Sequence, residues 1–81
     1  MRLDKFLKVS RIIKRRTVAN EACDNERVMV NGKAARASYA VKVGDIIEIK
    51  FGDKLPVKYE VLKICEVTTK EAAGQMYKII S

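Results

Sequence analysis

Histidine and tryptophan are absent from the 81-residue chain, cysteine occurs twice, proline once and glycine four times. Without histidine, and with Cys23 and Cys65 far apart in the sequence, the four nitrogen or sulfur ligands of a tetrahedral zinc site cannot be assembled, so no metal and no cofactor is expected. No cluster of carboxylates stands in for histidine as a general acid or base: Asp4 has no second acidic residue near it. No catalytic residue is expected, and the chain does not read as an enzyme. Long tracts of Gly, Ser or Pro are missing, which leaves neither a linker nor a low-complexity segment. Charged residues interrupt every apolar run well short of a signal-peptide core or a membrane span, so no membrane partner is expected. The chain reads as cytoplasmic, with reduced thiols that behave as small hydrophobes.

What is present is charge of one sign. Seventeen Lys and Arg face ten Asp and Glu, for a net charge of +7. Residues 1–16 carry Arg2, Lys5, Lys8, Arg11, Lys14, Arg15 and Arg16 against Asp4 alone, so six of the seven net charges sit there. A field of this kind at one end of a small fold selects polyanions, nucleic acid first. At this length the expectation is a single domain over 1–81 whose function sits on its outer surface, because a chain this small has little volume to spare for a chamber beside its core.

The expected class is α+β, with the helices first. At about 100° per residue, Leu3, Phe6, Leu7 and Ser10 share one face of a helix whose back carries Arg2, Lys5 and Lys8. Ile12 and Ile13 make a buried joint. Thr17 then reads as the N-cap of a second helix, with Val18, Ala19, Ala22 and Cys23 at helical spacing and an end near Asn25 in a left-handed conformation. Val28-Met29-Val30-Asn31-Gly32-Lys33-Ala34-Ala35 switches to a hairpin around Asn-Gly. Gly44-Asp45 and Gly52-Asp53 turn the chain on either side of the strand Ile46 to Phe51, and Val57 to Leu62 alternates as a second. Thr68-Thr69-Lys70-Glu71 fits a capping box for a short helix reaching about Met76, and Tyr77 to Ile80 closes a mainly antiparallel sheet.

Arg2-Leu3-Asp4-Lys5-Phe6-Leu7, Arg15-Arg16-Thr17-Val18-Ala19, Val28-Met29-Val30-Asn31-Gly32, Ser38 and Gly44-Asp45-Ile46, in that order, resemble the S-four (alpha-L) RNA-binding domain over residues 2–51. Residues 52–81 then follow as a C-terminal strand, helix and strand. The opening run through Arg11 and the Ile-Lys-Arg-Arg-Thr tract extend the likeness to the whole chain, which resembles the bacterial RqcP family of ribosome quality-control proteins. The resemblance implies a factor that binds stalled large ribosomal subunits carrying peptidyl-tRNA. It would contact large-subunit rRNA and the tRNA beside RqcH, and support alanine tailing of the trapped chain. DNA is not an expected partner. The nearest rival is a sibling small S-four-type protein acting in heat-shock subunit recycling or rRNA maturation. Where the family pattern usually has Gly before the first hairpin strand, this chain has Asn25-Glu26-Arg27.

Structured RNA is read largely through phosphate and 2′-hydroxyl contacts, so the candidate RNA-binding residues are the cations. Arg16 leads, because at the mouth of the second helix its planar fork works beside open backbone N–H groups. The resemblance also places Arg16 on the arginine preceding the RNA-binding helix and Arg2 on the family's N-terminal arginine. Lys5, Lys8, Arg11, Lys14 and Arg15 read as phosphate-positioning charges, and Lys33 and Arg36 extend the patch beside the hairpin. Intramolecular pairing of Arg16 with Glu21 or Asp24 is the competing expectation, and Asp4 reads as a helix-dipole or salt-bridge residue.

Overall fold

The computed structural model describes residues 1–66 and 68–80. Its helices are α1 (Leu3–Val9), α2 (Arg16–Asp24) and the single turn α3 (Lys70–Ala73). The strands are β1 (Val28–Val30), β2 (Lys33–Ala34), β3 (Ile46–Ile49), β4 (Val57–Val61) and β5 (Tyr77–Ile79), and they form one antiparallel sheet in the order β2-β1-β3-β4-β5. This is the expected α+β arrangement, with α1 and α2 packed on each other and joined to the sheet by a common core.

The apolar stripe of α1 is the centre of that core: Leu3, Phe6 and Leu7 are fully buried, with Val28, Ile47 and Val61 from the sheet and Ala19 from α2. Burying each large aliphatic or aromatic side chain contributes about 1.5–3 kcal/mol, so these few residues hold the helix pair on the sheet. Strand alternation places the charged members of β3 and β4 on the other face, where Glu48 and Lys58 stand opposite each other in register. The N-terminus is strapped down by Leu3 N–H to the Tyr39 carbonyl (2.8 Å) and Val41 N–H to the Met1 carbonyl (2.9 Å). This strap fixes where Arg2 leaves the backbone.

The Asn31-Gly32 hairpin forms as its sequence dictates, with both residues at positive φ (53° and 84°), the handedness that matches the strand twist. Three helix boundaries differ from expectation. The N-cap of α2 is Arg15, and Thr17 lies inside the helix, so Arg16 occupies its first turn and no side chain caps that end. In α3 the cap is Thr69, whose hydroxyl accepts from Ala72 N–H at 3.2 Å, and the helix stops at Gly74 instead of continuing to Met76. Asn25 stays at negative φ, and the left-handed residue is Glu26 at φ 57°. There Arg27 N–H reaches the Ala22 carbonyl and Glu26 N–H the Cys23 carbonyl, the paired bonds of a Schellman ending.

That ending locates the departure from the glycine pattern at Glu26. A side chain in the left-handed region costs about 1–2 kcal/mol, and the extra freedom glycine has in the unfolded chain takes back about 0.5–1 kcal/mol. Glu26→Gly is therefore expected to stabilise the fold by about 0.5–1 kcal/mol, raising the melting temperature by about 3–6 °C. A thermal melt of the variant that moves downward would show that the carboxylate makes a compensating contact in solution.

Candidate nucleic-acid interface

Asp4 lies on α1 at the edge of its apolar face and is 2% exposed. A carboxylate in such a place needs partners, and it has them on both oxygens. Arg2 donates from Nε (3.2 Å) and Nη2 (3.4 Å), Arg16 donates from Nε (3.2 Å) and Nη2 (3.4 Å), Asn20 Nδ2 donates at 3.3 Å and Lys5 backbone N–H at 2.8 Å. Burial pushes the Asp4 carboxyl up, and the bonds from Arg16, Arg2, Asn20 and the Lys5 amide outweigh it, leaving the pKa below the ordinary aspartate value. Asp4 thus holds two guanidinium planes side by side. Both arginine side chains remain about half exposed (51% and 46%), and in each the remaining terminal nitrogen has no acceptor among the described residues.

Arg16 therefore pairs with Asp4, not with Glu21 or Asp24. Its position in the first turn of α2 sets it beside an N-terminus with no side-chain cap and no acidic residue in the first turn. The open N–H groups and the positive end of the helix dipole add to the arginine charge. The arrangement presents planar donors and backbone donors on one surface, which is the chemistry that grips a phosphate oxygen.

A second buried carboxylate organises the hairpin side. Asp45 (7% exposed) accepts from Asn31 Nδ2 at 3.1 Å, from the Tyr39 hydroxyl at 2.9 Å and from Lys42 backbone N–H at 2.9 Å. Asn31 Oδ1 in turn accepts from Ile46 N–H at 3.0 Å. Burial again pushes the Asp45 carboxyl up and these bonds bring it below the ordinary value, while the Asp45 bond raises the Tyr39 phenol. The network ties the Asn-Gly turn to the loop before β3. Lys33 and Arg36 flank a shallow depression that includes Tyr39, so the hairpin cations ride on a fixed support.

The nine expected cations consequently fall into groups. Arg2 and Arg16 converge on Asp4. Lys8, Arg11 and Lys14 line one cleft, and Lys33 and Arg36 line the hairpin depression. Arg15 is exposed at the start of α2 without joining either. Lys5 is the one engaged elsewhere, in an ion pair with Glu66. Asp4 as the hub, Asn20 and the Asp45 network were not expected as parts of the site. The signal available for Asp4 was its place about 60° from Leu7 on the helical wheel, where an unpaired carboxylate is costly. Cys23 is buried and its thiol is pushed up to about 11 by burial and by Asp4 and Asp24, so it is an inert core residue, while Cys65 is half-buried and also unpaired.

Comparison with known proteins places this geometry. The family model of the S4 domain matches residues 1–47. The RQC P-site tRNA stabilizing factor of Streptococcus pneumoniae is 57% identical over 81 residues, covering 100% of this chain and 91% of the relative. The protein of the same description from Bacillus subtilis is 52% identical over 80 residues, covering 99% and 92%. Among solved structures, the trimeric structure of Vibrio cholerae Heat Shock Protein 15 superposes with a TM-score of 0.90 at 28% identity, over 100% of this chain and 82% of the other.

Proposed function

The chain belongs to the S4 domain family, within it to the RQC P-site tRNA stabilizing factors, and from that premise we propose that it binds stalled large ribosomal subunits and holds their peptidyl-tRNA in place. In this reading residues 2–51 are the RNA-binding core and residues 52–81 a C-terminal addition. The protein works in the cytoplasm beside RqcH, contacts large-subunit rRNA and the tRNA, and supports successive additions of alanine to the trapped chain. It positions RNA and makes no bonds itself.

The observation that carries the reading is the pair of half-exposed guanidinium groups braced by buried Asp4 next to the open start of α2. A loosely held lysine attracts a phosphate but leaves its position undefined, whereas two braced forks fix the register of an RNA backbone before it arrives. A stabilising factor for a bound tRNA needs that property.

The test is a deletion strain carrying a stalling reporter, with tail length read by mass spectrometry and the tagged protein used to recover its ribosomal particles. Alanine tails are expected to shorten, and the tagged protein is expected to recover large subunits holding peptidyl-tRNA in preference to intact translating ribosomes. With aminoacyl-tRNA alone the purified protein is expected to form no peptide. Unchanged tails together with recovery of empty large subunits would favour subunit recycling or rRNA maturation.

A further inference from the structure

Beyond the Asp4-braced pair and the hairpin cations, a further cationic cluster is built into the fold. The end of α1, the joint to α2 and the segment around α3 and β5 enclose an open cleft of about 730 Å³. Lys8, Arg11 and Lys14 line it from one side, and Lys70 and Tyr77 from the other. It shares no lining residue with the surface formed by Asp4, Arg16, Thr17, Asn20 and Glu21.

Three features separate this cleft from an ordinary solvated face. First, among the described residues its four cations face a single lining carboxylate, Glu66, which pairs with Lys5. Like charges gathered in a concave surface raise a positive potential that only an external anion relieves. Second, Arg11 sits at φ 64°, a conformation glycine or asparagine adopts far more readily. Backbone bonds hold it on both sides: Ser10 N–H to the Phe6 carbonyl, Arg11 N–H to the Lys8 carbonyl and Ile13 N–H to the Leu7 carbonyl. The strain is therefore held in place by the fold, at a cationic residue that lines the cleft. These bonds also occupy closing carbonyls of α1 that would otherwise repel an anion. Third, Tyr77 is held edge-on against Tyr59, with ring centroids 5.3 Å apart at 80°, so the cleft has a fixed aromatic element beside its charges.

We propose that this cleft binds a single-stranded RNA segment, its phosphates on Lys8, Arg11, Lys14 and Lys70 and a base or ribose against Tyr77. The inference rests on the RNA-binding reading above and adds to it a second RNA contact, distinct from the one at Arg2 and Arg16. A single strand is favoured because its unpaired bases can lie against an aromatic side chain such as Tyr77, whereas a duplex is about as thick as the whole molecule, whose shortest extent is 21 Å.

The test uses the full chain and a fluorescein-labelled ten-nucleotide single-stranded RNA, followed by anisotropy at low salt, with sedimentation on purified large subunits in parallel. Lys14→Glu with Lys70→Glu is expected to weaken oligonucleotide binding about tenfold or more, since a double charge reversal removes two phosphate contacts. The charge-matched control, Lys54→Glu with Lys63→Glu, is expected to change it less than about twofold. Circular dichroism melts establish that each variant is folded. Loss of oligonucleotide binding in the control equal to that in the cleft variant would overturn the second site. So would large-subunit binding by the wild type without any affinity for the oligonucleotide, and that result would leave the parent reading standing. Absence of binding to both would remove both.

Discussion

Asp4→Asn is expected to lower the melting temperature by about 8–16 °C and to weaken binding to large subunits, although Asp4 itself is buried and touches no ligand. The aspartate accepts from two arginines, Asn20 and the Lys5 amide. A hydrogen bond to a charged group is worth about 1.5–3 kcal/mol, and the amide keeps the shape but presents two donors where cations now point. Because the arginines are half exposed they rehydrate once released, so the cost stays near 2 kcal/mol and does not reach the higher cost of a fully buried broken pair. A small domain moves by about 4–8 °C per kcal/mol. Released arginines also regain rotamer freedom, which the RNA must then freeze.

The pH dependence fixes the sign independently. The pKa values of Asp4 and Asp45 are both lowered from the ordinary 3.8 by their hydrogen bonds, so the folded state binds protons less readily than the unfolded one. Their stabilisation is complete above the ordinary aspartate value and is lost as pH falls through it toward the folded values. Acid melts of Asp4→Asn are therefore expected to be shallower than wild type below about pH 4, with the Asp45 contribution remaining. A melting temperature unchanged at neutral pH, with an acid slope like the wild type, would mean that Asp4 does not brace the arginines in solution.

The parts of this arrangement that sequence reveals are those set by near neighbours. The Leu3, Phe6, Leu7 and Ser10 face is buried as its spacing requires, and the Asn31-Gly32 turn forms because its two residues tolerate positive φ. Helix ends proved less legible. Thr17 has the chemistry of a cap, yet α2 begins earlier, and the start of a helix depends on where tertiary contacts place the chain. Glu26 takes the left-handed position although Asn25 pays less for it, because the Schellman bonds require that conformation one residue further on. The grouping of cations was not legible at all. The run from Arg2 to Arg16 reads as one patch, but the crossing of α1 and α2 decides which arginines meet Asp4, and the return of the C-terminal segment decides that Lys70 faces Lys8, Arg11 and Lys14. Pairing of Lys5 with Glu66 depends on the same return.

Arg16→Ala is expected to weaken binding to purified large subunits by about five- to a hundredfold, and Arg2→Ala by a comparable factor. The range corresponds to about 1–3 kcal/mol for a charge-assisted contact to phosphate. Each variant leaves Asp4 with the other arginine, Asn20 and the Lys5 amide, so the fold is expected to survive at ambient temperature, which a thermal melt checks. Charge and geometry separate in the salt dependence. If the wild type contacts about four to six phosphates, the logarithm of affinity falls against the logarithm of salt with a slope of roughly −3 to −5, and loss of one arginine makes it shallower by about one unit. Arg16→Lys keeps the charge but has a single nitrogen, which cannot brace on both Asp4 oxygens and still present a planar donor outward. That variant should retain the wild-type slope yet bind more weakly than the wild type at every salt concentration. If Arg16→Lys instead binds like the wild type, the charge alone suffices and the brace at Asp4 serves the fold, not the RNA.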